Sequence, residues 1–162
     1  MGCTLKIMCG VPGSGKDYYI QHHIKRDECE VSRDKIRFSI IKDNDEYFAK
    51  EDEVFKAFCD EISADSMVYS AVYANATHLA DKNRWKLLNN INLNGFNKIV
   101  FICIETPLQR TLQQNAKRTG RAFVPEEVVK KMAKSYHRPN LNYWEEKLGI
   151  PVEIEVVKNE RA

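Results

Sequence analysis

No run of apolar residues in this 162-residue chain approaches the roughly 20 that a membrane span requires. A membrane partner is therefore not expected. The N-terminus enters a strand-like run directly, without a signal-peptide pattern. Met1-Gly2 opens no myristoylation motif, because Lys6 stands where Ser or Thr is needed. The five cysteines (Cys3, Cys9, Cys29, Cys59, Cys103) are odd in number, scattered and without metal-ligand spacing. Neither a disulfide framework nor a structural metal is expected, and a reducing, cytoplasmic compartment fits. Internal repeats, low-complexity tracts and linkers are also missing, which points to one domain over residues 1–162.

A strong net charge is lacking too, since the formal total is only +2. Its placement is uneven. Between Arg110 and Arg138 there are eight Lys/Arg against two Asp/Glu, and between Ile41 and Asp65 three Lys against nine Asp/Glu. The basic third suits a polyphosphate or nucleic-acid partner. The acidic stretch argues against a continuous basic groove, and either run can be a solvated helix face.

What is present is an ordinary globular composition, 43% hydrophobic and 30% charged, and one dominant stretch, Cys9 to Asp17. It follows the strand-like run Leu5–Cys9 and leads into a segment that reads as helix from Tyr18 to Ile24. Gly10, Gly15 and Lys16 fit the phosphate-binding loop G-x-x-x-x-G-K, with Pro12, Gly13 and Ser14 inside it. Glycines let the backbone curl until N–H groups converge, the helix N-terminus adds partial positive charge, and Lys16 brings a flexible point charge for the β- and γ-phosphates. The last position departs from the pattern: Asp17 stands where Ser or Thr would hold Mg²⁺.

Further strand candidates are Cys29–Ser32, Met67–Ala74, Lys98–Ile104 and Val152–Val157. The run Lys98–Ile104 is nearly all apolar, as a strand covered on both faces of a parallel sheet should be. Helical patterns fall between the strands. One covers Arg84–Asn92 and should stop at Asn94-Gly95 with a left-handed cap. Another begins with Thr106 as N-cap and Pro107 as first helical residue and runs to about Thr119, with Gly120 beyond it. A third starts at Pro125 and ends by Arg138-Pro139. Strand and helix alternate throughout, so the expected fold is α/β: a parallel sheet of about five strands flanked by helices, right-handed crossovers, and the ligand at the strand C-termini.

Several side chains fall at or beyond those strand ends. After the second strand, Asp34 and Arg37 share a helix face, with Arg33 four residues before Arg37. A carboxylate there can accept a proton from an attacking hydroxyl, and a guanidinium beside it can grip phosphate. Equally, Asp34 can simply decorate a helix N-terminus while Arg37 pairs with an acid. After the third strand comes Asn75, where such folds place a metal-shell acid; the alternative is a loop or helix cap. His78 has no sequence neighbour to share a metal. The basic segment Asn115 to Arg121 can form a lid of about residues 115–125 whose Arg closes on transferring phosphate, or merely complement a helix dipole. Tyr136, Tyr143 and Trp144 read as packing residues, not as a base-stacking platform.

Taken in order, Gly10-x-Pro12-Gly13-Ser14-Gly15-Lys16, Ser32-Arg33-Asp34-x-x-Arg37, Asn75-Ala76-Thr77-x-Leu79 and Asn115-x-x-Arg118-x-x-Arg121-x-x-Val124-Pro125 resemble the polynucleotide-kinase-like P-loop kinases. The kinase half of phage end-healing polynucleotide kinases is the nearest likeness. The resemblance covers roughly Leu5 to Pro139. It implies a fold with an Arg-bearing lid and transfer of the ATP (or other NTP) γ-phosphoryl, with Mg²⁺, to a hydroxyl, most of all the 5′-hydroxyl of a DNA or RNA end. It implies Asp34 as general base, and Arg37, with Arg33 and Asn75 nearby, on the acceptor side. Lys16 and the backbone from Gly13 to Lys16 would hold the β-phosphate, Arg118 and Arg121 would meet the donor from the lid, and Asp17 would meet the metal. Gln114 departs from the family, which often has Arg before the lid Asn. Asp17 and Asn75 depart together: the usual hydroxyl and carboxylate become a carboxylate and an amide in exchanged places, as if one compensated the other. A small-molecule, nucleoside or nucleotide-sugar kinase of zeta-toxin-like type is the nearest rival. A nucleotide-binding module with weakened catalysis is the rival of another class.

Overall fold

The computed structural model describes residues 2–120 and 123–159. The chain runs β1 (Cys3–Cys9), α1 (Lys16–His23), β2 (Glu28–Ser32), α2 (Arg33–Ile40), α3 (Glu51–Asp65), β3 (Ala71–Asn75), α4 (Asp81–Leu88), β4 (Phe96–Glu105), α5 (Leu108–Ala116), α6 (Glu126–Ser135), α7 (Leu141–Leu148) and β5 (Val152–Lys158). All five strands pair in parallel in the order β2-β3-β1-β4-β5. The expected α/β fold with a five-stranded parallel sheet is thus the observed one. From central β1 the chain goes to the β2 edge, returns inward to β3 and then crosses to β4 and β5, so the connections leaving β1 and β3 run in opposite directions and a crevice opens between the C-terminal ends of these two strands.

The apolar runs explain the order. β1 and β4 are buried along most of their length, with Leu5, Ile7, Ile99, Phe101 and Cys103 fully inside. On one side the core continues into Phe58 and Ile62 of α3, Leu87 of α4 and Trp144 of α7. Trp144 is wholly buried, with its ring against those of Trp85 (4.6 Å) and Phe101 (5.2 Å). Burying a side chain of that size stabilises the fold by roughly 2–3 kcal/mol. The other side of the sheet is covered by Tyr19 and Ile20 of α1, which pack on Met8, Tyr73 and Ile102. Among the described residues no helix is long and apolar enough to cross a membrane.

Element ends differ from expectation for local reasons. β3 begins at Ala71, not Met67, because α3 closes through a turn at residues 66–68. α4 stops at Leu88, and Gly95 lies in a short 3₁₀ turn without left-handed φ. That glycine answers crowding instead, since a Cβ there would meet Ser66 Oγ at 2.3 Å. Pro107 and Pro125 are the N-caps of α5 and α6 and not their first residues. Thr106, expected as a cap, donates its hydroxyl to the Ser14 carbonyl (2.6 Å), tying β4's exit to the phosphate loop. α5 ends at Ala116 and α6 at Ser135, each about a turn earlier than expected.

Candidate active site

The loop between β1 and α1 is shaped by two left-handed glycines, Gly13 (φ 83°) and Gly15 (φ 107°), a conformation that costs glycine little and other residues about 1 kcal/mol or more. Gly10 N donates to the Thr77 carbonyl (2.9 Å), anchoring the loop to the exit of β3. That exit is fixed from below. His78, at φ 40°, donates Nδ1–H to the Met8 carbonyl (2.8 Å), the tautomer a carbonyl partner requires. Burial lowers its pKa to about 4, so the ring is neutral and structural. Fully buried Arg84 donates to the carbonyls of His78, Leu79 and His137 and to Asp81.

Lys16 is only 9% exposed and donates to the carbonyls of Gly10 and Val11, both at 2.9 Å. No carboxylate among the described residues forms an ion pair with it. Burial, with the Arg118 charge beside it, lowers its ammonium to about 8. A buried cation without a carboxylate partner is a seat for an anion. Ser14 Oγ is likewise buried and, among the described residues, without a hydrogen-bond partner. Left-handed glycines, a helix N-terminus and this lysine fit a nucleotide's phosphates.

Asp17 and Asn75, which the sequence ties together only through their shared departure from pattern, are in contact. Asn75 Nδ2 donates to Asp17 Oδ1 at 2.6 Å, and also to Glu30 Oε2 at 2.7 Å. Glu30, unassigned from sequence, brings a second carboxylate from β2. Its side chain also meets Lys35 Nζ (3.4 Å). Among the described residues no group of three His, Cys, Asp or Glu converges as a metal cage. An all-oxygen set with one or two carboxylates nevertheless suits Mg²⁺, which keeps several waters and takes phosphate oxygens as ligands.

Opposite the loop, α2 starts behind the Ser32 side-chain cap, which accepts from Lys35 N. Asp34 Oδ1 accepts from Arg37 Nη1 and from the Tyr47 hydroxyl (2.6 Å). Burial and then the Asp34 charge push the Tyr47 phenol up, so it remains a donor. Arg37, 4% exposed, also donates from Nη1 to the Tyr47 hydroxyl (2.7 Å) and spends its remaining donors on Glu51: Nη2 to Oε1 at 2.8 Å and to Oε2 at 3.1 Å, and Nε to Oε2 at 3.3 Å. Arg33 Nη2 reaches the same carboxylate at 2.5 Å. Burial raises the Glu51 carboxyl, but the hydrogen bonds and charges of Arg37 and Arg33 outweigh it and hold it below its ordinary value. The expectation that Arg37 grips an acceptor phosphate therefore meets a hydrogen-bonding shell already filled. Glu51 and Tyr47 escaped the sequence reading because they come from a distant acidic stretch that looks like a solvated face.

On the lid side, Asn115 clasps Val124, donating Nδ2–H to its carbonyl (2.5 Å) and accepting from its N–H (3.2 Å). Gln114, with its amide nitrogen toward the loop, donates to the Gly13 carbonyl and accepts from Arg110 Nε (3.2 Å). The residue where an Arg was expected thus braces the phosphate loop. Arg118 lines the same pocket as the phosphate loop. Arg121 lies outside the described residues. One cavity of about 670 Å³ joins these parts: Pro12, Gly13 and Gly15 to Asp17 of the loop, Asp34, Tyr47, Phe48 and Glu51, Asn75 and Arg118 all line it.

A glycine-curled loop between strand and helix, a buried lysine in it and a five-stranded parallel sheet define a P-loop kinase-like nucleotide-binding fold. The chain belongs to the AAA domain family, which matches residues 5–139. No curated protein matches it. Among solved structures, a chain of the Pnkp1/Rnl/Hen1 RNA repair complex is similar at 20% identity and a TM-score of 0.65, over 91% of this chain and 46% of that one. Kti12 of Chaetomium thermophilum, solved with ADP-AlF3, is similar at 13% identity and a TM-score of 0.57, over 94% of this chain and 88% of that one. A sugar kinase from Janibacter sp. HTCC2649 is similar at 16% identity and a TM-score of 0.52, over 96% of this chain and 86% of that one. This chain spans less than half of the RNA-repair chain it resembles.

Proposed function

We propose that the protein transfers the γ-phosphoryl group of ATP, or another NTP, to the 5′-hydroxyl end of a DNA or RNA strand. One observation carries the transfer reaction. Asp34 faces the same cavity as Lys16, with Oδ1 held by Arg37 and Tyr47 and, among the described residues, no hydrogen bond on Oδ2. A carboxylate fixed through one oxygen and open at the other is arranged as a general base. The acceptor oxygen attacks the γ-phosphorus, a new O–P bond forms, and the bond to the β–γ bridging oxygen breaks. ADP leaves with that electron pair, and the hydroxyl proton passes to Asp34. Lys16 and Arg118 stabilise the charge on the transferring and leaving oxygens. Asp17, with Asn75 and Glu30 beside it, would hold Mg²⁺, which neutralises phosphate charge when bound. Arg37 serves as the strut that sets Asp34.

Support for a polynucleotide acceptor comes from the ordered motifs and from the RNA-repair neighbour. A second reading, a small uncharged acceptor such as a nucleoside, is favoured by the acceptor end of the cavity, where Asp45 and Glu51 accompany Tyr47 and Phe48. A polyanion gains little from such a wall. Incubation with γ-labelled ATP and Mg²⁺, offering 5′-hydroxyl DNA and RNA oligonucleotides and nucleosides in parallel, separates the two. Labelled oligonucleotide is the expected result. Label on nucleosides alone replaces the acceptor assignment, and no label on any acceptor removes the transferase reading.

A further inference from the structure

The geometry points to Glu30 as a positioning residue of the cation-holding end of the phosphate loop: through the Asn75 amide it fixes Asp17, and the Asp17–Asn75 exchange works only with a side-chain acceptor oxygen at position 30. The inference rests on the nucleotide-binding part of the preceding proposal.

Three observations carry it. Asn75 is 6% exposed, and its Nδ2 donates once to Asp17 (2.6 Å) and once to Glu30 (2.7 Å), which uses both amide hydrogens. Rotated by half a turn, the amide would point its oxygen at two carboxylates, so Glu30 locks the orientation in which Asn75 can hold Asp17. The sheet register makes this meeting obligatory. Ser32 of β2 pairs with Asn75 of β3, so Glu30 lies two residues back on the same face as Asn75. The Lys35 contact of Glu30 does not explain its placement: Lys35 is 3.4 Å away with a side chain 79% exposed, a contact of little energetic weight.

Charge counting gives the consequence. The cluster as built has two carboxylates and one neutral double donor. Asn75→Asp would bring three carboxylates into contact beside the incoming phosphates. A hydroxyl at position 17 would be too short to accept from Asn75 as the carboxylate does. Position 75 is thus held to an amide by Glu30 as much as by Asp17.

The test is binding of a fluorescent ATP analogue, measured in EDTA and in saturating Mg²⁺, so that the gain from Mg²⁺ is read without turnover. Glu30→Ala is expected to lower that gain about tenfold, the effect of losing one charge-assisted hydrogen bond. Glu30→Gln, which still offers an oxygen to Asn75, should keep most of it. In EDTA, Asn75→Asp should weaken binding at least about tenfold, and adding Glu30→Gln should recover it because the charge count returns to two. If Glu30→Ala does not fold, the comparison of Asn75→Asp with and without Glu30→Gln decides. An unchanged Mg²⁺ gain in Glu30→Ala, or no recovery in the double variant, overturns the inference while leaving nucleotide binding intact. Failure of the wild type to bind the analogue in either condition overturns both.

Discussion

Replacing Glu51 by Gln tests how the acceptor wall is held. The substitution keeps size and shape but removes the charge facing Arg37, which is 4% exposed and takes three hydrogen bonds from its guanidinium to this one carboxylate. Removing one partner of a buried ion pair typically costs about 3–5 kcal/mol. Glu51 keeps 26% of its side-chain surface, so water offsets part of that loss, and the surviving amide oxygen still accepts one bond. The expected destabilisation is about 2–3 kcal/mol, or a fall in Tm of roughly 4–12 °C for a chain of this size. Urea and thermal unfolding followed by circular dichroism measure it. The pH dependence adds a second condition. The folded Glu51 carboxyl lies below its ordinary value, so its contribution is present in full above that ordinary value and is lost as pH falls through the folded one. The difference between wild type and Glu51→Gln should therefore begin to shrink as pH falls below about 4.5 and close only below the folded value. A difference under about 0.5 kcal/mol at neutral pH, the range of a surface pair, would refute the reasoning. So would a gap that stays constant into acid.

The remaining predictions concern the chemistry. Lys16 has a pKa of about 8 in the free protein and must be charged to hold phosphate, so ATP affinity should be flat below pH 8 and fall by up to about tenfold per pH unit above it. Calorimetric titration across that range checks this, and a flat profile to pH 9.5 would contradict it. Asp34→Ala should lower kcat by about 10²–10⁴ while ATP binding persists; near-normal turnover removes the general-base role. Tyr47→Phe takes away the neutral donor to Asp34 and should lower kcat about tenfold with the KM for ATP unchanged. A shift in ATP KM instead would place Tyr47 on the donor side. Asn115→Ala opens the clasp on Val124 and should raise the KM for ATP several-fold, with stability reduced by about 1–2 kcal/mol.

Much of this was legible in the residues. Apolar runs marked the inner strands, because a parallel strand buried on both faces has few polar positions to blur its signal, whereas the edge strands β2 and β5 carry Glu28, Glu30, Glu153 and Glu155 and show a weaker pattern. The phosphate loop and Asp34 lie within short stretches whose local spacing carries their meaning. Glu51, Tyr47 and Glu30 were invisible for the opposite reason. Each acts through a contact made only by folding: Glu51 and Tyr47 across the segment after α2, Glu30 across a strand register. Asn75 and Asp17 fall between the two cases. Their shared departure from pattern suggested a link, and the 2.6 Å contact supplies its physical form. The helix ends near Gly95, Thr106 and Thr119 were misplaced because a glycine admitted a neighbour's side chain and a threonine was drawn off to the phosphate loop, roles that local patterning does not encode.

The clasp of Asn115 on Val124 has a mechanical corollary. A Cβ at Gly13 would stand 2.9 Å from the Thr111 carbonyl and 3.2 Å from Asn115 N, so the phosphate loop leans directly on α5. Helix and loop behave as one solid piece, and α5 cannot slide without dragging the phosphates' cradle with it. The clasp ties Val124 back to the end of α5 through two hydrogen bonds of Asn115. In the proposed transfer, Arg118 closes against a cradle braced by α5.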